Sequence, residues 1–433
     1  MKIRIVKAGG RDFWPALRKI LQRREQGDGN VEARVKEIVR TVREKGDRAL
    51  IHYARVFDGV RLKRGSIEVK RREVDRAMEK VSMADLRALR LAARRIAAFH
   101  RRQLERSWVY RDSLGLLLGQ RITPLDRAGV YVPGGKASYP STVLMNVIPA
   151  KVAGVKEVIM ASPIGEDGPI ILAAARIAGV DRIFRIGGAQ AVTALAFGTE
   201  TVPKVDKIVG PGNIYVATAK RLVFGAVDID SIAGPSEILL VADGAADPVL
   251  IAADMLSQAE HDEMAAALCV TTSAVLARKV RAELERQIRE TKRHAISMKA
   301  LARYGAIIVV RGLGEAIEVA NAIAPEHVEL IVRQPQKWAR WIRHAGAIFI
   351  GPYSTPPLGD YLAGPNHVLP TGGSARFFSP LGTYDFLKRT SVIWAGKAAL
   401  RALAPGIVHL ARLEGLYDHA RAVEVRFRKA NKT

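Results

Sequence analysis

Two short segments of this chain place side chains that could do chemistry at close spacing. Gln258 and His261 lie three residues apart, which on a helix puts them on one face, roughly 60° apart around the axis. An amide oxygen and an imidazole nitrogen at that spacing could bind one cation. Glu326 and His327 are adjacent and follow Pro325, which is predicted to end a helix and so to place the pair at the entrance of the next strand. Because histidine titrates near neutral pH and glutamate can activate water, this pair could divide acid–base work. Either segment could equally be an ordinary solvent-exposed turn or helix.

Further polar residues lie in segments rich in glycine and proline. Asp360 precedes residues 364–373, GPNHVLPTGG, which contain His367. A long ordered loop of this composition indicates a functional role, since it contributes little to core packing. Near the end of the chain, Glu414 and His419 place a carboxylate and an imidazole on one short segment. The remaining histidines fall in helical or strand patterns, and we interpret them as structural or solvent-exposed: His52, His100, His294, His344 and His409.

Three glycine-rich turns could contact a phosphate-containing cofactor. They are Val132–Gly135, Ile186–Gln190 and Val209–Asn213, and each follows a predicted strand. None is a complete G-x-G-x-x-G fingerprint, and ordinary turns also need glycine, so a single turn is weak support. Their shared position is stronger support, because open α/β sheets bind ligands at the carboxyl ends of strands. A helix beginning after Asn213 would also present free N–H groups to a phosphate.

The apolar pattern predicts the elements that must position these side chains. Residues 1–25 are predicted to form a short strand and a basic helix, and residues 31–108 to be helical. After Leu125, short apolar strands alternate with alanine-rich helices, which indicates parallel β-α-β units. The predicted strands are Gly129–Val132, Glu157–Ala161, Asp206–Val209 and Glu237–Val241. Asp247–Leu268 is predicted to be a helix, residues 305–332 continue the α/β pattern, and the chain from about Pro380 is predicted to be mainly helical.

A weak internal repeat and the overall composition limit the possible classes of protein. Ala153-Gly154 and Ala233-Gly234 each precede a strand that begins with glutamate, at an offset of about 80 residues, which leaves a duplicated α/β unit open. The 433 residues, 48% hydrophobic and 26% charged, predict a folded protein of two or more domains. No apolar run is long enough to cross a bilayer, and the first residues lack the apolar core of a secretory signal, so we expect a cytoplasmic protein.

The distribution of charge disfavours a nucleic-acid-binding protein, and the cysteine content excludes cysteine-based chemistry. The formal net charge of +25 suggests a nucleic-acid partner, but the arginines are spread over helices such as Leu86–Arg106 without interleaved aromatic residues. We therefore expect a solvent-exposed basic surface. The single cysteine, Cys269, lies in a segment that is also predicted to be a buried strand, so neither a cysteine-rich zinc site nor a covalent thiol mechanism is expected.

Taken together and in order, these segments resemble the histidinol dehydrogenase family. The matching stretches, from about residue 30 to residue 427, are AGVYVPGGKASYPSTVLMNVIPAKVAGVKEV, IGGAQAVTALAFGTETVPKVDKIVGPGNIYVATAKRLVFG, DIDSIAGPSEILLVAD, LSQAEHDE, APEHVEL, GDYLAGPNHVLPTGG, FLKRTSVI and EGLYDHARAVEVR. The resemblance implies NAD-linked oxidation of L-histidinol through L-histidinal to L-histidine, the last steps of histidine biosynthesis. Two alternatives stay open: a related zinc- and NAD-dependent dehydrogenase of another small amino alcohol or a sulfonated diol, and a basic nucleic-acid-binding protein that keeps the fold.

The resemblance also implies a role for each candidate residue. One zinc ion per subunit would be held by Gln258, His261, Asp360 and His419, with His419 supplied by the other subunit of a homodimer with shared active sites. His327 would take the proton of the alcohol, and Glu326 would activate water. The positions that match substrate contacts are Ser236, Gln258, His261, His327, Asp360, His367, Glu414 and His419. The positions that match NAD contacts are Tyr131, Gln190 and Asn213.

The implied fold is α/β, with two incomplete Rossmann-like domains and short N- and C-terminal helical segments that embrace the partner subunit. We assign residues 1–25 to an N-terminal arm, and residues 26–124 and 233–378 to a discontinuous first α/β domain with the zinc helix and the Glu-His pair. Residues 125–232 form the second α/β domain, with the NAD contacts, and residues 379–433 a C-terminal helical segment expected to be exchanged in the dimer.

Overall fold

The computed structural model describes residues 3–10, 13, 15, 17–18, 29–134, 139–164, 168–232 and 234–428. The chain divides into two compact units. The first unit comprises Met1–Gln103 and Leu125–Phe386, and the second comprises Leu104–Pro124 and Leu387–Thr433. None of the helices within the described ranges combines the length and the apolar character needed to cross a membrane.

Strands and helices alternate along most of the chain. The strands, numbered in chain order, are β1 (Arg4–Lys7), β2 (Trp108–Arg111), β3 (Leu117–Pro124), β4 (Arg127–Tyr131), β5 (Glu157–Ala161), β6 (Arg182–Phe184), β7 (Lys207–Val209), β8 (Asp228–Ile229), β9 (Glu237–Ala242), β10 (Ala266–Thr271), β11 (Ala306–Val309), β12 (His327–Ile331), β13 (Ala347–Ile350) and β14 (Leu387–Trp394). The α-helices are α1 (Gly29–Lys45), α2 (Asp47–Phe57), α3 (Arg71–Lys80), α4 (Met83–Arg101), α5 (Pro140–Ala153), α6 (Gly168–Ala178), α7 (Gly188–Phe197), α8 (Ile214–Val223), α9 (Pro248–Ala259), α10 (Ala274–Gln287), α11 (His294–Tyr304), α12 (Leu313–Ile323), α13 (Pro335–Ala339), α14 (Lys397–Leu413) and α15 (Tyr417–Glu424).

The first unit contains a five-stranded parallel sheet. Its order is β6-β5-β4-β7-β8, and every neighbouring pair is parallel. Parallel strands need a crossover between them, and α5, α6, α7 and α8 provide these connections. The four strands predicted between Gly129 and Val241 are all present, with ends that differ by at most two residues. Three of them, β4, β5 and β7, lie in this sheet, and β9 lies in the other parallel sheet. The helix of the N-terminal arm, by contrast, falls mostly outside the described residues.

The first unit also contains a six-stranded parallel sheet, in the order β1-β11-β10-β9-β12-β13. Both faces carry apolar cores, one with α9 and α10 and the other with α12. Strands β9 and β10, EILLVA and AALCVT, are buried throughout, as expected for a central parallel strand. The predicted α/β class with two parallel sheets is therefore confirmed. β5 and β9, and α6 and α9, begin about 80 residues apart, in agreement with the weak sequence repeat.

The helices α1 and α2 pack against the five-stranded sheet, which differs from the predicted domain assignment. Val31, Val35 and Val42 of α1 share a buried core with Tyr131 and Leu195. The sequence assignment instead groups residues 26–124 with the helix that carries Gln258, which packs on the other sheet. An amphipathic pattern shows that a helix has an apolar face but does not show which sheet that face covers.

The predicted helix Asp247–Leu268 is wrong in its second half. Helix α9 ends at Ala259, with Glu260 as its C-cap. The Asp262 side chain then accepts the backbone N–H of Met264 at 2.9 Å, which closes a turn that leads into β10. The continuous apolar run was therefore a helix followed by a buried strand, and the competing prediction of a buried strand around Cys269 is confirmed.

The second unit is a three-stranded antiparallel sheet, β14-β3-β2, together with α14 and α15. The sequence does not predict the eight-residue strand β14, whereas the rest of the described chain from Pro380 is mainly helical, as expected. Strand β3 pairs with β14, and β2 pairs with β3, so residues 104–124 belong to the second unit and not to the first α/β domain that the sequence assignment gives them. Alternation of side chains on an exposed two-sided strand gives little apolar signal, which is why the sequence did not indicate it.

Candidate active site

The Glu326–His327 pair lies at the amino edge of the six-stranded sheet. Helix α12 ends at Ile323, and the C-cap Ala324 adopts the left-handed conformation with φ of 50°. Pro325 prevents the helix from continuing, and β12 begins at His327, as predicted. In the parallel neighbours β9 and β13, the residues paired with His327 are Ile238 and Ala347. The pair therefore emerges where three neighbouring strands begin.

His327 is held as a neutral imidazole with one nitrogen available. Its Nδ1 lies 3.1 Å from the backbone carbonyl oxygen of Glu237, so Nδ1–H donates to that oxygen. Its Nε2 is buried and has no hydrogen-bond partner among the described residues. Burial lowers the pKa of His327, an effect that nearby Asp360 opposes. The tautomer fixed by Glu237 therefore leaves a lone pair on Nε2 that can accept a proton.

Glu326 is anchored to the same backbone position. Its Oε2 accepts the N–H of Glu237 at 3.0 Å and lies 3.7 Å from His327 Nδ1. Glu326 and His327 are 7% and 5% exposed, so both side chains lie in a largely dry environment. The residue before β9 in the chain, Ser236, is half-buried, and its carbonyl oxygen accepts the N–H of Ala266 at 3.0 Å. The predicted substrate contact of the Ser236 side chain remains a prediction.

A cavity of about 650 Å³ lies beside His327 in the first unit. Its walls include both predicted loop residues, Asp360 and His367, and Asp360 Oδ1 lies 4.0 Å from His327 Nε2. His367 Nδ1 contacts the backbone oxygen of Asp360 at 3.0 Å, and its Nε2 lies 3.4 Å from Thr142 Oγ1. Burial lowers the pKa of His367 to about 4, with smaller contributions from His327 and His261. The glycine-rich loop is thus ordered and directs two polar side chains at this cavity.

Gln258 and His261 lie at the C-terminal end of α9. Gln258 is buried in the last turn, and His261 follows the helix, its backbone N–H donating to Gln258 O at 3.3 Å. His261 is exposed as a whole residue, but the protein around its ring lowers its pKa by desolvation, and the neighbouring His327 lowers it further. The pKa of Asp360 is raised to about 6 by burial; His327 opposes this rise and Glu326 adds to it. These mutual effects place His261, His327 and Asp360 in one cluster, although His261 is not on the helix face that we predicted.

The residues of this cluster fit a zinc ion in part. Gln258, His261 and Asp360 offer an amide oxygen, an imidazole nitrogen and a carboxylate oxygen, which are donors that zinc accepts. Asp360 is a half-buried acid with a raised pKa, and a cation would stabilise its carboxylate. Within the described parts of the chain, no three His, Cys, Asp or Glu side chains converge closely enough to hold a metal. The predicted zinc ligands of the first unit include two residues of these types, His261 and Asp360, and the amide of Gln258. The predicted set therefore does not require three such side chains to converge within this unit.

The two remaining predicted contacts, Glu414 and His419, belong to the second unit. Glu414 is the C-cap of α14, and His419 lies in the first turn of α15, where its N–H donates to Leu416 O at 3.1 Å. Both side chains are exposed. They are therefore available to another molecule.

The predicted NAD contacts lie at the carboxyl edge of the five-stranded sheet. Tyr131 ends β4, and its hydroxyl oxygen accepts the N–H of Gly188 at 3.1 Å. Gln190, in the first turn of α7, is 1% exposed, and its amide oxygen and nitrogen have no partner among the described residues. A buried amide without partners suits a bound ligand. Gly210 adopts φ of 116° and lies so close to the Tyr131 carbonyl that a side chain there would collide with it.

The Asn213 side chain caps the end of α8 that was predicted to bind a phosphate. The helix begins after Asn213, as predicted, but the Asn213 side chain accepts the N–H groups of Tyr215 and Val216 at 3.0 and 3.2 Å. These N–H groups are therefore not free for a phosphate. Gly135 of the first glycine-rich turn lies outside the described residues.

Comparison with known proteins agrees with this geometry. The sequence model of the family described as histidinol dehydrogenase matches residues 21–427. The histidinol dehydrogenase of Syntrophotalea carbinolica is 55% identical over 428 residues, covering 98% of this chain and 99% of the relative. That of Aquifex aeolicus is 54% identical over 410 residues, covering 95% and 96%. The crystal structure of histidinol dehydrogenase from Elizabethkingia anophelis matches with a TM-score of 0.92 and 35% identity over 98% of both chains. The chain therefore belongs to the histidinol dehydrogenase family.

Proposed function

We infer that this protein oxidises L-histidinol through L-histidinal to L-histidine, using zinc and two molecules of NAD per turnover. These are the last steps of histidine biosynthesis. The observation that carries the inference is His327: its Nδ1 is tied to Glu237 O, and its partnerless Nε2 borders the cavity with Asp360. The protein is an oxidoreductase of the family that its sequence predicted.

We propose that His327 is the base of the first oxidation. NAD supplies the hydride acceptor and zinc holds the substrate in position. Nε2 takes the hydroxyl proton of the alcohol as the carbinol carbon loses its hydride, and an aldehyde results. A neutral imidazole is required for this step, and burial keeps His327 neutral by lowering its pKa. The hydrogen bond to Glu237 holds the ring during proton transfer.

Glu326 is proposed to serve the second oxidation. An aldehyde has no hydroxyl to deprotonate, so a water must first add to it. Glu326 takes one proton of that water, and the hydrate that forms then loses a second hydride to give the carboxylate. The bond from Glu237 N–H to Glu326 Oε2 fixes the carboxylate next to His327, so both bases act at one carbon. Cys269 has no part in this scheme, because burial raises the pKa of its thiol to about 12.

The substrate and metal contacts are proposed as the sequence predicted them. Gln258, His261 and Asp360 hold the zinc ion from the first unit, and His367 lines the same cavity. Tyr131, Gln190 and Asn213 contact NAD, a role that the partnerless amide of Gln190 supports.

The proposed active form is a homodimer with shared active sites. The second unit exposes large apolar side chains, among them Trp108, Ile393, Leu413 and Tyr417. Exposed apolar residues concentrated on one small unit favour burial against another molecule. We propose that a second copy of the chain covers them, and that His419 and Glu414 of each copy complete the zinc and substrate contacts of the other. The cytoplasmic location expected from the sequence belongs to the same proposal.

The test is the yield of NADH per histidinol consumed, with and without a metal chelator. Two NADH per histidinol, lost with chelator and restored by zinc, is the expected result. One NADH, with release of the aldehyde, would refute complete oxidation. A panel containing another amino alcohol and a sulfonated diol decides the substrate, and faster turnover of either would refute the assignment of histidinol.

A further inference from the structure

Two acidic side chains, Asp254 and Glu329, lie on the same helix and strand as two residues of the proposed active site. Asp254 is one helical turn before Gln258 on α9, so both lie on the same face of that helix. Glu329 is two residues after His327 on β12, so both project from the same face of that strand. The mechanism above uses neither acid.

Asp254 and Glu329 contact each other in a buried environment. They are 8% and 0% exposed. Neither carboxyl oxygen of Glu329 meets a donor group among the described residues, and the group within hydrogen-bonding reach is the carboxyl of Asp254. Asp254 Oδ1 in turn accepts the hydroxyl of Thr355 at 2.6 Å.

Two ionised carboxylates cannot hydrogen-bond to each other, because neither has a proton to donate. Two buried like charges also repel strongly, and paired carboxyls relieve this by retaining one proton. Burial and, to a smaller extent, the neighbouring Asp254 together raise the pKa of Glu329 to about 9; burial likewise raises the pKa of Asp254. The contact is therefore a neutral carboxyl donating to a carboxylate, with one negative charge for the pair.

The pair joins the three elements that carry the active-site residues. Helix α9 carries Gln258, and strand β12 carries His327. Thr355 accepts the N–H of Leu358 at 3.0 Å and so begins the π-helical turn Leu358–Leu362, which contains Asp360. Thr355, Asp254 and Glu329 thus form a hydrogen-bonded bridge between these elements. A shift of any one element would break one of its hydrogen bonds.

We propose that Asp254 and Glu329 are positioning residues that share one proton across a buried hydrogen bond. The bridge holds α9, β12 and the segment at Thr355 in the arrangement that the zinc ion and the substrate require. The inference rests on the proposed function, because it assigns the pair a role at that same site.

Three variants separate the parts of this proposal. Glu329→Gln keeps an N–H donor toward the Asp254 carboxylate and keeps the single negative charge, so zinc affinity and kcat/KM should be unchanged. Glu329→Met, of similar length, keeps the charge on Asp254 but removes the bridge, and should lower zinc affinity by about 10-fold, as loss of a supporting contact around a metal site typically does. Glu79→Met makes the same change at an exposed position of α3 and is the control, with no effect expected.

Zinc affinity is measured by competition with a chromophoric chelator, alongside kcat, KM and the melting temperature of the zinc-free protein. Infrared spectroscopy at neutral pH should show the C=O band of a protonated carboxyl group in the native protein. That band should disappear in Glu329→Gln, where Asp254 is the ionised partner, and should persist in Asp254→Asn, because burial keeps Glu329 protonated. These two variants keep the test decisive if Glu329→Met does not fold.

The inference fails if Glu329→Gln loses as much zinc affinity as Glu329→Met, if folded Glu329→Met binds zinc normally, or if the infrared band is absent. A native protein that binds no zinc would refute the proposed function instead, and would do so independently of these variants.

Discussion

Replacement of His327 by asparagine separates its structural contact from its proposed chemical role. The Asn amide nitrogen occupies about the position of Nδ1 and can donate to Glu237 O, the bond that is 3.1 Å in the native protein. The change removes Nε2, and because Nε2 has no partner among the described residues, no hydrogen bond is lost with it. We therefore expect the free energy of unfolding to fall by about 1 kcal/mol, from lost packing alone.

Activity should fall much further than stability. A general base contributes roughly 10²–10⁴-fold to a rate, which corresponds to about 3–5 kcal/mol of transition-state stabilisation. The loss should appear in kcat, with KM for NAD nearly unchanged, since the proposed NAD contacts lie on the other sheet. The assay is NADH formation from histidinol in a single turnover, together with thermal unfolding of the zinc-free protein.

His294→Asn is the matched control. His294 Nδ1 also contacts a backbone oxygen, that of Ile288 at 2.8 Å, and lies outside the proposed site. The control should keep full activity. If His327→Asn retained a rate within about threefold of the native rate, Nε2 would not be the base. If instead it unfolded, the loss of activity would say nothing about proton transfer, and His327→Gln, which restores a nitrogen near Nε2, would decide.

Four other outcomes follow from the proposed site. Glu326→Gln should slow oxidation of histidinal more than that of histidinol, and equal losses in the two half-reactions would contradict its role with water. His261→Asn should abolish zinc binding and nearly all activity while circular dichroism stays native; a metal-free but active variant would rule out the ligand set. Mixing His261→Asn with His419→Asn subunits should restore one intact site per heterodimer, whereas no recovery would argue against ligands from different chains. Cys269→Ala should keep full activity, and iodoacetamide should not inactivate the native protein. The reason is that a thiol with a pKa of about 12 stays protonated at mildly alkaline pH. Rapid inactivation would show that the thiol is accessible and ionised.

Short-range signals in the sequence were sufficient for the entry of β12 and for several strands of the two parallel sheets. Pro325 ends α12 by its covalent structure, so Glu326 and His327 had to lie at the start of the next strand. The buried strand around Cys269 was recognisable because a central parallel strand is apolar on both faces.

Contacts between residues far apart in the chain could not be predicted from such short-range signals. The anchor of the Glu-His pair is a backbone group, Glu237, about 90 residues away, and a backbone N–H or C=O has no sequence signature. The end of α9 depended on the Asp262 turn, which a helical pattern with an apolar continuation does not reveal. Asp254 and Glu329 were overlooked because each is a single acid inside an apolar segment.

The strand that carries the proposed bases is bounded by strained backbone on both sides. Ala324 before β12 and Gln334 after it are the non-glycine residues with positive φ in the described parts of the chain. A side chain in this conformation costs roughly 1–2 kcal/mol per residue. Selection for heat resistance alone would favour glycine at position 324, yet glycine would also loosen the entry to β12. In a directed-evolution experiment, stability and turnover should therefore compete at this position.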